Sequence, residues 1–370
     1  MALSKPTVAL LLALAALGCS SCALAQKNSQ TAPQLKQQLD ASTPGWLRQN
    51  DVPSVAVAYI DHGRVAWTAV YGEQSPGVPA TEKTLYNIAS LTKPISAEVI
   101  LRLAAKGKLS LDESMSPYWI DPDLKGNPWT DLLTPRICLS HQTGFANWRR
   151  MTNHVLTFQW QPGTKMGYSG EGYNYVARFA EKKMDMPFEA LAQQYVFEPI
   201  GMKDTSYTPK DWFAGRLAVP HGPDGPAFDL KDWQWQAADL LRTTIGDYAK
   251  FVVSVMHDEG LTKSLATERH TITRDRVTPE QHAKICATDS SSANCTLSSG
   301  MGLGWQVDHF DKLTLLEHSG SDPGVHTLAF FVPQTQTGVV IFTNGENGSK
   351  VIAEVVRLLY PNPMYLETLN

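Results

Sequence analysis

A serine and a lysine stand three positions apart in Ser90-Leu91-Thr92-Lys93, the one place in the sequence with that spacing. On a helix such residues share one face, so the hydroxyl and the amine can approach hydrogen-bond distance. A serine hydroxyl becomes a good nucleophile when a base takes its proton, and a buried amine can be that base. The pair is therefore a candidate for acyl transfer through Ser90. A helix-capping serine beside a solvated lysine is the alternative, which the four residues alone favour.

The residues that follow have the pattern of a helix able to hold this pair. Ile95, Val99 and Leu103 recur at helical spacing, and Gly107 is typical of a position just past a helix end. Pro94 is compatible with a helix only near its first turn. A helix that starts here directs its N-terminus towards the serine, where a developing oxyanion is stabilised.

Apolar patterns predict strands at both ends of the chain. The predicted strands are 52–60 and 64–71, joined by a hairpin at 61–63 (Asp-His-Gly), and then 303–308, 313–317, 326–332 and 339–343. A helix over 351–359 follows them. The middle of the chain has helical stretches at 173–183 and 244–257, and Thr244 and Asp247 have the spacing of a capping box.

These elements predict an α+β fold, with an antiparallel sheet flanked by helices and an inserted, mainly helical domain. The sheet domain is expected to be discontinuous, comprising 34–115 plus 290–368. The insertion is expected to cover 116–289 and to pack against one face of the sheet.

Other kinds of hydrolytic site are not indicated. No serine has glycine at both second neighbours, as the nucleophile elbow of α/β hydrolases requires. H-E-x-x-H is absent, the ten histidines lack the spacing of zinc ligands, and G-x-G-x-x-G is missing. We therefore expect neither a metal nor a cofactor.

The composition narrows the range of partners. The 370 residues are 43% apolar and 18% charged, which is typical of a globular protein and excludes a disordered or collagen-like chain. Lys and Arg number 32 against 36 Asp and Glu, a net charge of −4, so no basic field exists to bind nucleic acid. A small molecule or a peptide is the expected substrate.

Residues 1–25 have the features of a secretory signal peptide. Lys5 precedes an apolar run over 8–17, and 23–25 (Ala-Leu-Ala) form an A-x-A cleavage site. The run is shorter than the roughly 20 residues of a membrane span, so we expect an exported protein, periplasmic or secreted. Cys19 lies in a weak match to a lipoprotein cleavage site, and a lipid at Cys19 is the less favoured alternative.

Cleavage after residue 25 would leave three cysteines in the chain. Cys286 and Cys295 are nine positions apart, and an oxidising compartment would allow them to pair across a surface loop. Cys138 has apolar neighbours and is expected to be a small buried residue rather than a nucleophile.

An ordered series of segments supports Ser90 and Lys93 as a catalytic pair. The segments are 52–57, 85–93, 107–112, 139–144, 301–305 and 323–324. In them the chain resembles the serine β-lactamase and penicillin-binding-protein family, specifically the class C branch with its esterases and D-amino-acid peptidases. The resemblance extends from about residue 52 to 359 and implies a β-lactamase/transpeptidase-like fold.

Residues 168–170 (Tyr-Ser-Gly) stand where this family has Y-x-N. By resemblance, Tyr168 hydrogen-bonds Ser90 and Lys93, acts as a shared base and later gives a proton to the leaving group. Gly170 replaces the asparagine whose amide binds the acylamide carbonyl of the substrate in the family. This departure disfavours a dedicated antibiotic-degrading enzyme, and Asn174 is a candidate substitute at the substrate-binding position.

Residues 318–320 (His-Ser-Gly) stand where β-lactamases have K-T-G. By resemblance, His318 is catalytic, Ser319 and Gly320 bind substrate, and the N–H groups of Ser90 and Ser321 form the oxyanion hole. Because strand residues alternate in direction, at most one of His318 and Ser319 faces the cleft directly. Histidine keeps a nitrogen donor but loses the fixed charge of lysine. A solvated histidine at a strand end is the alternative.

These expectations combine into one function. We expect an exported serine hydrolase that cleaves an ester or an amide through a Ser90 acyl-enzyme, with a β-lactam, a D-Ala-D-Ala-type peptide or a small ester as substrate. The missing asparagine and lysine favour an esterase or peptidase over a dedicated β-lactamase. The alternative is a non-catalytic penicillin-binding or scaffold module that has kept the fold.

Overall fold

The computed structural model describes residues 30–222, 225–226, 235–275, 296–310, 313–362 and 365–366. Within these ranges the helices are α1 (Ala32–Asn50), α2 (Thr92–Ala105), α3 (Pro135–Leu139), α4 (Gly170–Met184), α5 (Phe188–Ala192), α6 (Glu198–Ile200), α7 (Ile245–Met256), α8 (Lys263–Arg269) and α9 (Gly348–Leu359). The strands are β1 (Ser54–Asp61), β2 (Arg64–Ser75), β3 (Val78–Pro79), β4 (Tyr86–Asn87), β5 (His221–Gly222), β6 (Gly225–Pro226), β7 (Arg242–Thr243), β8 (Arg274–Asp275), β9 (Thr296–Met301), β10 (Gln306–Phe310), β11 (Leu313–Asp322), β12 (Val325–Val332) and β13 (Thr337–Thr343). None of these helices is long and apolar enough to span a membrane.

Nine of the strands form one antiparallel sheet, in the order β3-β2-β1-β13-β12-β11-β10-β9-β8. β1 pairs with β13, so the two ends of the chain meet in the middle of the sheet. The turn between β1 and β2 places His62 and Gly63 at positive φ, 51° and 69°, as a two-residue hairpin requires. The predicted antiparallel sheet, built from both ends of the chain, is confirmed.

Helices cover both faces of this sheet. Val55 and Val57 of β1 belong to a buried cluster that includes residues of α1 and α9. Ala56 and Ala58, on the opposite face, belong to the cluster that includes α2 and α7. Because both faces of β1 are buried, the strand is a continuous apolar run and not an alternating one.

α2 lies inside the larger cluster and is buried from Thr92 to Leu103. The segment around Gly304 packs closely against α2, and an added Cβ at Gly304 would lie 2.4 Å from the Cβ of Ala97. Gly304 has φ +93°, so the chain turns there, and β10 begins only at Gln306. The predicted strand 303–308 is therefore displaced towards the C-terminus.

β11 is longer than the sequence predicts. It continues past residue 317 to Asp322, because His318 to Asp322 pair with Ala329 to Val325 of β12. The pairing of β11 with β10 ends earlier, at Glu317. The predicted end at 317 is thus wrong, and the segment that follows it is part of the sheet.

The middle of the chain carries α3 to α8, and α4 and α7 coincide with two predicted helices. α7 begins after Thr244, whose Oγ1 accepts from the N–H of Asp247 at 3.3 Å. The Asp247 carboxylate accepts from the N–H of Asp204 at 2.7 Å. α7 packs on β1 and β13, so this part of the predicted insertion belongs to the layer that covers the sheet. The domain limits themselves stay a prediction.

Candidate active site

Ser90 and Lys93 lie together where the 3₁₀ turn Ala89–Leu91 leads into α2. Lys93 Nζ donates to Ser90 Oγ at 2.9 Å and to the carbonyl oxygen of Ala238, also at 2.9 Å. Lys93 is 0% exposed, whereas Ser90 is half-buried. The alternative of a solvated lysine is therefore wrong.

The direct contacts of Lys93 Nζ are with neutral oxygens and aromatic rings, and the carboxyls of Asp239 and Asp322 interact with it electrostatically without a direct hydrogen bond. Both of its hydrogen-bond acceptors are uncharged oxygens. The ring centroids of Tyr168 and Trp148 lie 4.8 Å and 5.7 Å from Nζ, within the range of cation–π contacts. No ion pair has to be broken when an amine in such a setting exchanges a proton with a hydroxyl.

Tyr168 lies beside the pair but is oriented differently from what the resemblance implies. It presents its ring face to Lys93, and among the contacts of the described residues no hydrogen bond joins its hydroxyl to Ser90 or Lys93. The ring of Tyr168 stacks on that of His141, and this stacking sets its orientation. The expected hydrogen bonds are corrected accordingly, and the catalytic role of Tyr168 stays a prediction.

His141 holds the segment that carries Tyr168. Its ring stacks on the ring of Tyr168 with centroids 4.3 Å apart, and its Nδ1 accepts from the N–H of Ser169 at 3.0 Å. The N–H of Gly167 donates to the His141 carbonyl at 2.8 Å. The sequence offered His141 only as one letter of a matched segment, so this positioning role was missed.

Trp148 occupies the space beside Gly170. A Cβ at Gly170 would lie 2.6 Å from two carbons of the indole, so a longer side chain there would displace the ring. The loop around Trp148 is fixed on both sides: Asn147 Oδ1 accepts from the N–H of Gly170 at 2.9 Å, and the N–H of Arg149 donates to Glu171 at 2.9 Å. An aromatic ring thus lies next to the position where the family's asparagine is missing.

Asn174 has a contact within the protein. Its Oδ1 accepts from the N–H of Ala237 at 3.0 Å. Ala237 precedes the residue whose carbonyl accepts from Lys93. The side chain therefore helps to hold the loop that contacts Lys93, and its substrate-binding role stays a prediction.

β11 passes directly beside the Ser90 turn. A Cβ at Gly320 would lie 2.5 Å from the carbonyl oxygen of Ile88 and 3.0 Å from the nitrogen of Ser90. Only glycine lets the two segments come this close. Ser321 follows Gly320, so the two predicted oxyanion-hole amides belong to segments in van der Waals contact.

His318 and Ser319 are separated by strand alternation, as expected. His318 is buried, with its ring centroid 6.1 Å from that of Tyr168, and Ser319 is exposed. His318 Nδ1 lies 2.7 Å from the carbonyl oxygen of Ser319, to which it can only donate. A solvated histidine at a strand end is therefore excluded.

A pair of carboxyl groups next to this site was not expected from the sequence. Asp239 follows the carbonyl that accepts from Lys93, Asp322 follows Ser321, and the two carboxyls hydrogen-bond each other. Burial and the neighbouring Asp322 raise the pKa of Asp239 to about 7. Burial also lowers the pKa of Arg242, which lies near both, to about 10. No spacing rule connects such distant positions, so the sequence carried no signal for the pair.

Some expectations concern residues outside the described ranges. They are the signal peptide 1–25, the alternative lipid site Cys19, and the pair Cys286 and Cys295. Cys138 lies inside the described part and is buried and free, as expected. In that part of the chain, no group of three His, Cys, Asp or Glu side chains is placed to hold a metal ion.

The fold and the enzyme class agree with one family. A serine and a lysine at the start of a buried helix, beside the last strands of an antiparallel sheet, are the arrangement of a serine hydrolase. The family model described as Beta-lactamase matches residues 31–359. The chain belongs to the beta-lactamase family and is a serine hydrolase of that family, which confirms the resemblance.

Its relatives carry several activities. A "Beta-lactamase" of Pseudomonas fluorescens is 25% identical over 342 residues, which cover 85% of this chain and 94% of the relative. The "D-alanyl-D-alanine-carboxypeptidase/endopeptidase AmpH" of Escherichia coli (strain K12) is 23% identical over 296 residues, 73% of this chain and 74% of that protein. "Esterase EstB" of Burkholderia gladioli is 26% identical over 232 residues, 54% of this chain and 57% of the esterase. The solved structure of a class C beta-lactamase has a TM-score of 0.70 at 19% identity, covering 88% of this chain and 96% of that one, and shows the shared fold.

Proposed function

We propose that the protein hydrolyses an ester or an amide by double displacement through an acyl-enzyme on Ser90. The observation that carries the proposal is the 2.9 Å contact between Ser90 Oγ and the buried Nζ of Lys93. A nucleophile within hydrogen-bond reach of a base is the signature of covalent catalysis. The partial exposure of Ser90 gives a substrate carbonyl access to the hydroxyl.

In the acylation step one proton is transferred, the bond from Ser90 Oγ to the carbonyl carbon forms, and the bond to the leaving group breaks. Ser90 Oγ attacks the carbonyl carbon while its proton passes to the amine of Lys93. The N–H groups of Ser90 and Ser321 stabilise the oxyanion, and each such donor contributes about 3 kcal/mol. The bond to the leaving group then breaks, and the leaving group takes the proton from Lys93, directly or through Tyr168.

Deacylation repeats these steps with water as the nucleophile. Water attacks the acyl carbon and gives its proton to Lys93, and the proton returns to Ser90 Oγ as the acid is released. In this proposal the exposed Ser319 lines the substrate side of β11, whereas His318, on the other face of the strand, lies beside Tyr168. No metal or cofactor takes part in either step.

Within this class we favour an ester or a peptide-like substrate over a β-lactam. The supporting observation is that Gly170 presents no carboxamide and that the indole of Trp148 lies against it. An aromatic ring favours an apolar acyl group, because it offers contact area and no hydrogen bond to an acylamide. The relatives include an esterase and a D-alanyl-D-alanine carboxypeptidase as well as beta-lactamases, so the preference rests on Gly170 and Trp148 and not on the relatives.

Parallel assays with three substrates test the preference. We expect p-nitrophenyl esters of short acids to be hydrolysed with a higher kcat/KM than a chromogenic cephalosporin, and a peptide ending in D-alanyl-D-alanine tests the peptidase. Ser90→Ala is expected to abolish every one of these reactions. Fast cephalosporin hydrolysis without ester cleavage would contradict the preference.

Replacing Trp148 tests the acyl site itself. In Trp148→Ala we expect the ratio of kcat/KM for a phenylacetyl ester to that for an acetyl ester to fall about tenfold, because the aromatic contact area is lost. Trp212→Ala is the matched control, since Trp212 is an exposed tryptophan that packs on Phe213. The same ratio in both variants would refute a role for Trp148.

We further propose that the protein is exported to the periplasm or the medium after removal of residues 1–25. The charged start, the apolar run and the A-x-A site support this proposal. The mass of the mature protein tests it: we expect an N-terminus at Gln26. A lipid-modified N-terminus at Cys19 would contradict it.

A further inference from the structure

A side-chain bridge joins the two segments that carry the proposed oxyanion-hole amides. Asn87 Oδ1 accepts from the N–H of Ala89 at 3.0 Å, and Asn87 Nδ2 donates to Asp322 Oδ2 at 2.8 Å. Ala89 is the neighbour of Ser90, and Asp322 is the neighbour of Ser321. The Asn87–Asp322 bridge therefore ends one residue away from each amide.

At its Ala89 end, the bridge stabilises a backbone conformation that is unfavourable without surrounding contacts. Ala89 has φ 45°, in the left-handed region that residues with a Cβ rarely adopt unless surrounding contacts stabilise it. Its N–H is taken by Asn87, which is itself buried. The preceding carbonyl, of Ile88, accepts from Thr327 Oγ1 at 2.9 Å. Side chains from β4 and β12 thus fix the turn that presents the N–H of Ser90.

The Asp322 end is set by the charges around it. Burial raises the pKa of Asp322, whereas the hydrogen bonds from Asn87 and Asp239 and the charges of Arg242 on β7 and Lys93 on α2 oppose that rise and favour the ionised form. Burial and Asp322 raise the pKa of Asp239 to about 7. We assign the proton of the pair to Asp239, because Asp322 already accepts from Asn87. Asp239 Oδ1 accepts from the N–H of Leu240 at 2.8 Å, which leaves the other oxygen to carry the proton to Asp322.

We infer that Asn87 and Asp322 are positioning residues for the oxyanion hole, and that protonated Asp239 keeps Asp322 in the bridge. The inference rests on the proposed function, because it takes the N–H groups of Ser90 and Ser321 as the oxyanion donors. Loss of the proton from Asp239 puts two carboxylates side by side, and their repulsion weakens the bridge. The rate of acylation then falls although Ser90 and Lys93 are unchanged.

Exchanging the two ends of the bridge tests its geometry. Asn87→Asp keeps the acceptor for Ala89 but replaces the donor to Asp322 by a second carboxylate. We expect kcat for a p-nitrophenyl ester to fall about a hundredfold with KM changed less than about threefold, because the interaction acts on the transition state. Adding Asp322→Asn restores a donor and an acceptor in reverse, and we expect kcat to return to within about fivefold of the wild type.

The double variant also controls for folding. If both variants give the wild-type circular dichroism spectrum and the double variant is no faster than Asn87→Asp, the bridge is refuted. If Asn87→Asp fails to fold but the double variant folds with the wild-type kcat, the coupling of the two side chains is supported. A folded Asn87→Asp variant with unchanged kcat refutes the positioning role.

The variant Asp239→Asn tests whether the proton on Asp239 keeps Asp322 in the bridge. The carboxamide keeps an acceptor for Leu240 and supplies a donor to Asp322 at every pH. We expect the ratio of wild-type kcat to variant kcat to fall as the pH rises through about 7, the pKa of Asp239. A ratio that is constant between pH 5 and pH 9 overturns the role given to Asp239.

Labelling of Ser90 distinguishes a failure of this inference from a failure of the proposed function. A fluorophosphonate probe that leaves Ser90 of the wild type unmodified refutes the proposed function. A wild type that is labelled at Ser90 and hydrolyses esters, together with an unaffected Asn87→Asp variant, refutes the bridge alone.

Discussion

Charged side chains are buried both in the first turn of α2 and in the turns that follow, but their partners differ between the two places. Lys93, in the first turn, donates to two neutral oxygens, one of them Ser90 Oγ. Further along the helix, the Glu98 carboxylate pairs with the guanidinium of Arg269 and lies 3.4 Å from Nε of Arg102. These last three residues form the Glu98 cluster, and all of them are buried.

This difference in partners distinguishes a buried charged cluster that stabilises the fold from a buried lysine that serves the proposed chemistry. The Glu98 cluster ties α2 to α7, because Arg102 donates to Ser254 Oγ at 2.9 Å and Arg269 to the carbonyl of Val255 at 2.6 Å. Breaking a buried ion pair leaves an uncompensated charge, which costs about 3–5 kcal/mol. At the Ser90 site, no carboxylate of the described residues accepts a hydrogen bond from Lys93, so a proton can move without breaking an ion pair. Variants in the two places should therefore change different quantities.

The largest effect is expected for Lys93→Met. Without the base, kcat/KM for an ester should fall at least about a thousandfold, or about 4 kcal/mol of transition-state free energy. The free energy of unfolding should change by less than about 1 kcal/mol, because an apolar side chain of similar length replaces a buried charge. Steady-state kinetics and urea unfolding measure the two quantities. If Lys93→Met loses stability in proportion to activity, the distinction between the Ser90 site and the Glu98 cluster is contradicted.

Glu98→Ala should give the opposite result. We expect a loss of about 3–5 kcal/mol in the free energy of unfolding, because Arg102 and Arg269 lose the buried carboxylate of Glu98, although Arg269 keeps its ion pair with Asp258. At a temperature where the variant is folded, kcat/KM per labelled active site should stay within about threefold of the wild type. Glu98→Gln, which keeps the shape and an acceptor, is the matched control with a smaller loss. A thousandfold loss of kcat/KM in the folded variant would contradict this account.

The pH dependence of stability should show that Asp239, next to the Ser90 site, holds a proton in the folded protein. An exposed aspartic acid titrates near 3.9, whereas the raised pKa of Asp239 in the folded protein is about 7. Between these values the folded protein binds a proton that the unfolded chain has released, so stability falls as the pH rises through the window. Asp239→Asn removes this loss, and its Tm at pH 8 should exceed that of the wild type by about 3 °C or more.

A comparison of the two proteins at pH 4 is the control, since the difference between their Tm values should be smallest there. Equal pH dependence of Tm in the wild type and Asp239→Asn would show that Asp239 does not hold the proton. Differential scanning calorimetry provides both Tm values.

The smallest effect is expected away from both places, at the start of α7. Thr244→Ala removes the acceptor for the N–H of Asp247, and loss of such a cap costs about 1 kcal/mol. Activity should not change, because this end of α7 contacts neither the Ser90 site nor the Glu98 cluster through its cap. Thr244→Ser retains the oxygen and should recover most of the stability. A change in kcat in Thr244→Ala would show that stability and activity are not separable here.

The parts of the fold that depend on near neighbours could be predicted from the sequence. Ser90 and Lys93 come together because a helix brings residues three apart to one face, and the hairpin at His62-Gly63 depends on four consecutive residues. The end of β11 was placed too early, because Ser-Gly-Ser-Asp is typical of a turn and the pairing with β12 that overrides it is a tertiary contact.

The parts of the site that depend on distant contacts could not be predicted. Asn87 and Asp322 are 235 positions apart in the chain, and neither has a neighbour that indicates the other. Tyr168 was predicted by its place in a motif, but its ring orientation follows from the stacking of His141, which no motif specifies. Trp148 likewise could not be connected with Gly170, because their contact requires two loops to meet.

The central claim is that Lys93 activates Ser90, and covalent labelling tests it most directly. The wild type, Ser90→Ala and Lys93→Met are each exposed to a fluorophosphonate, and intact mass is followed in time. We predict one adduct per wild-type chain on the peptide that contains Ser90, no adduct on that peptide in Ser90→Ala, and labelling at least about a thousandfold slower in Lys93→Met. An adduct on another residue, or equal labelling rates in the wild type and Lys93→Met, would contradict the account.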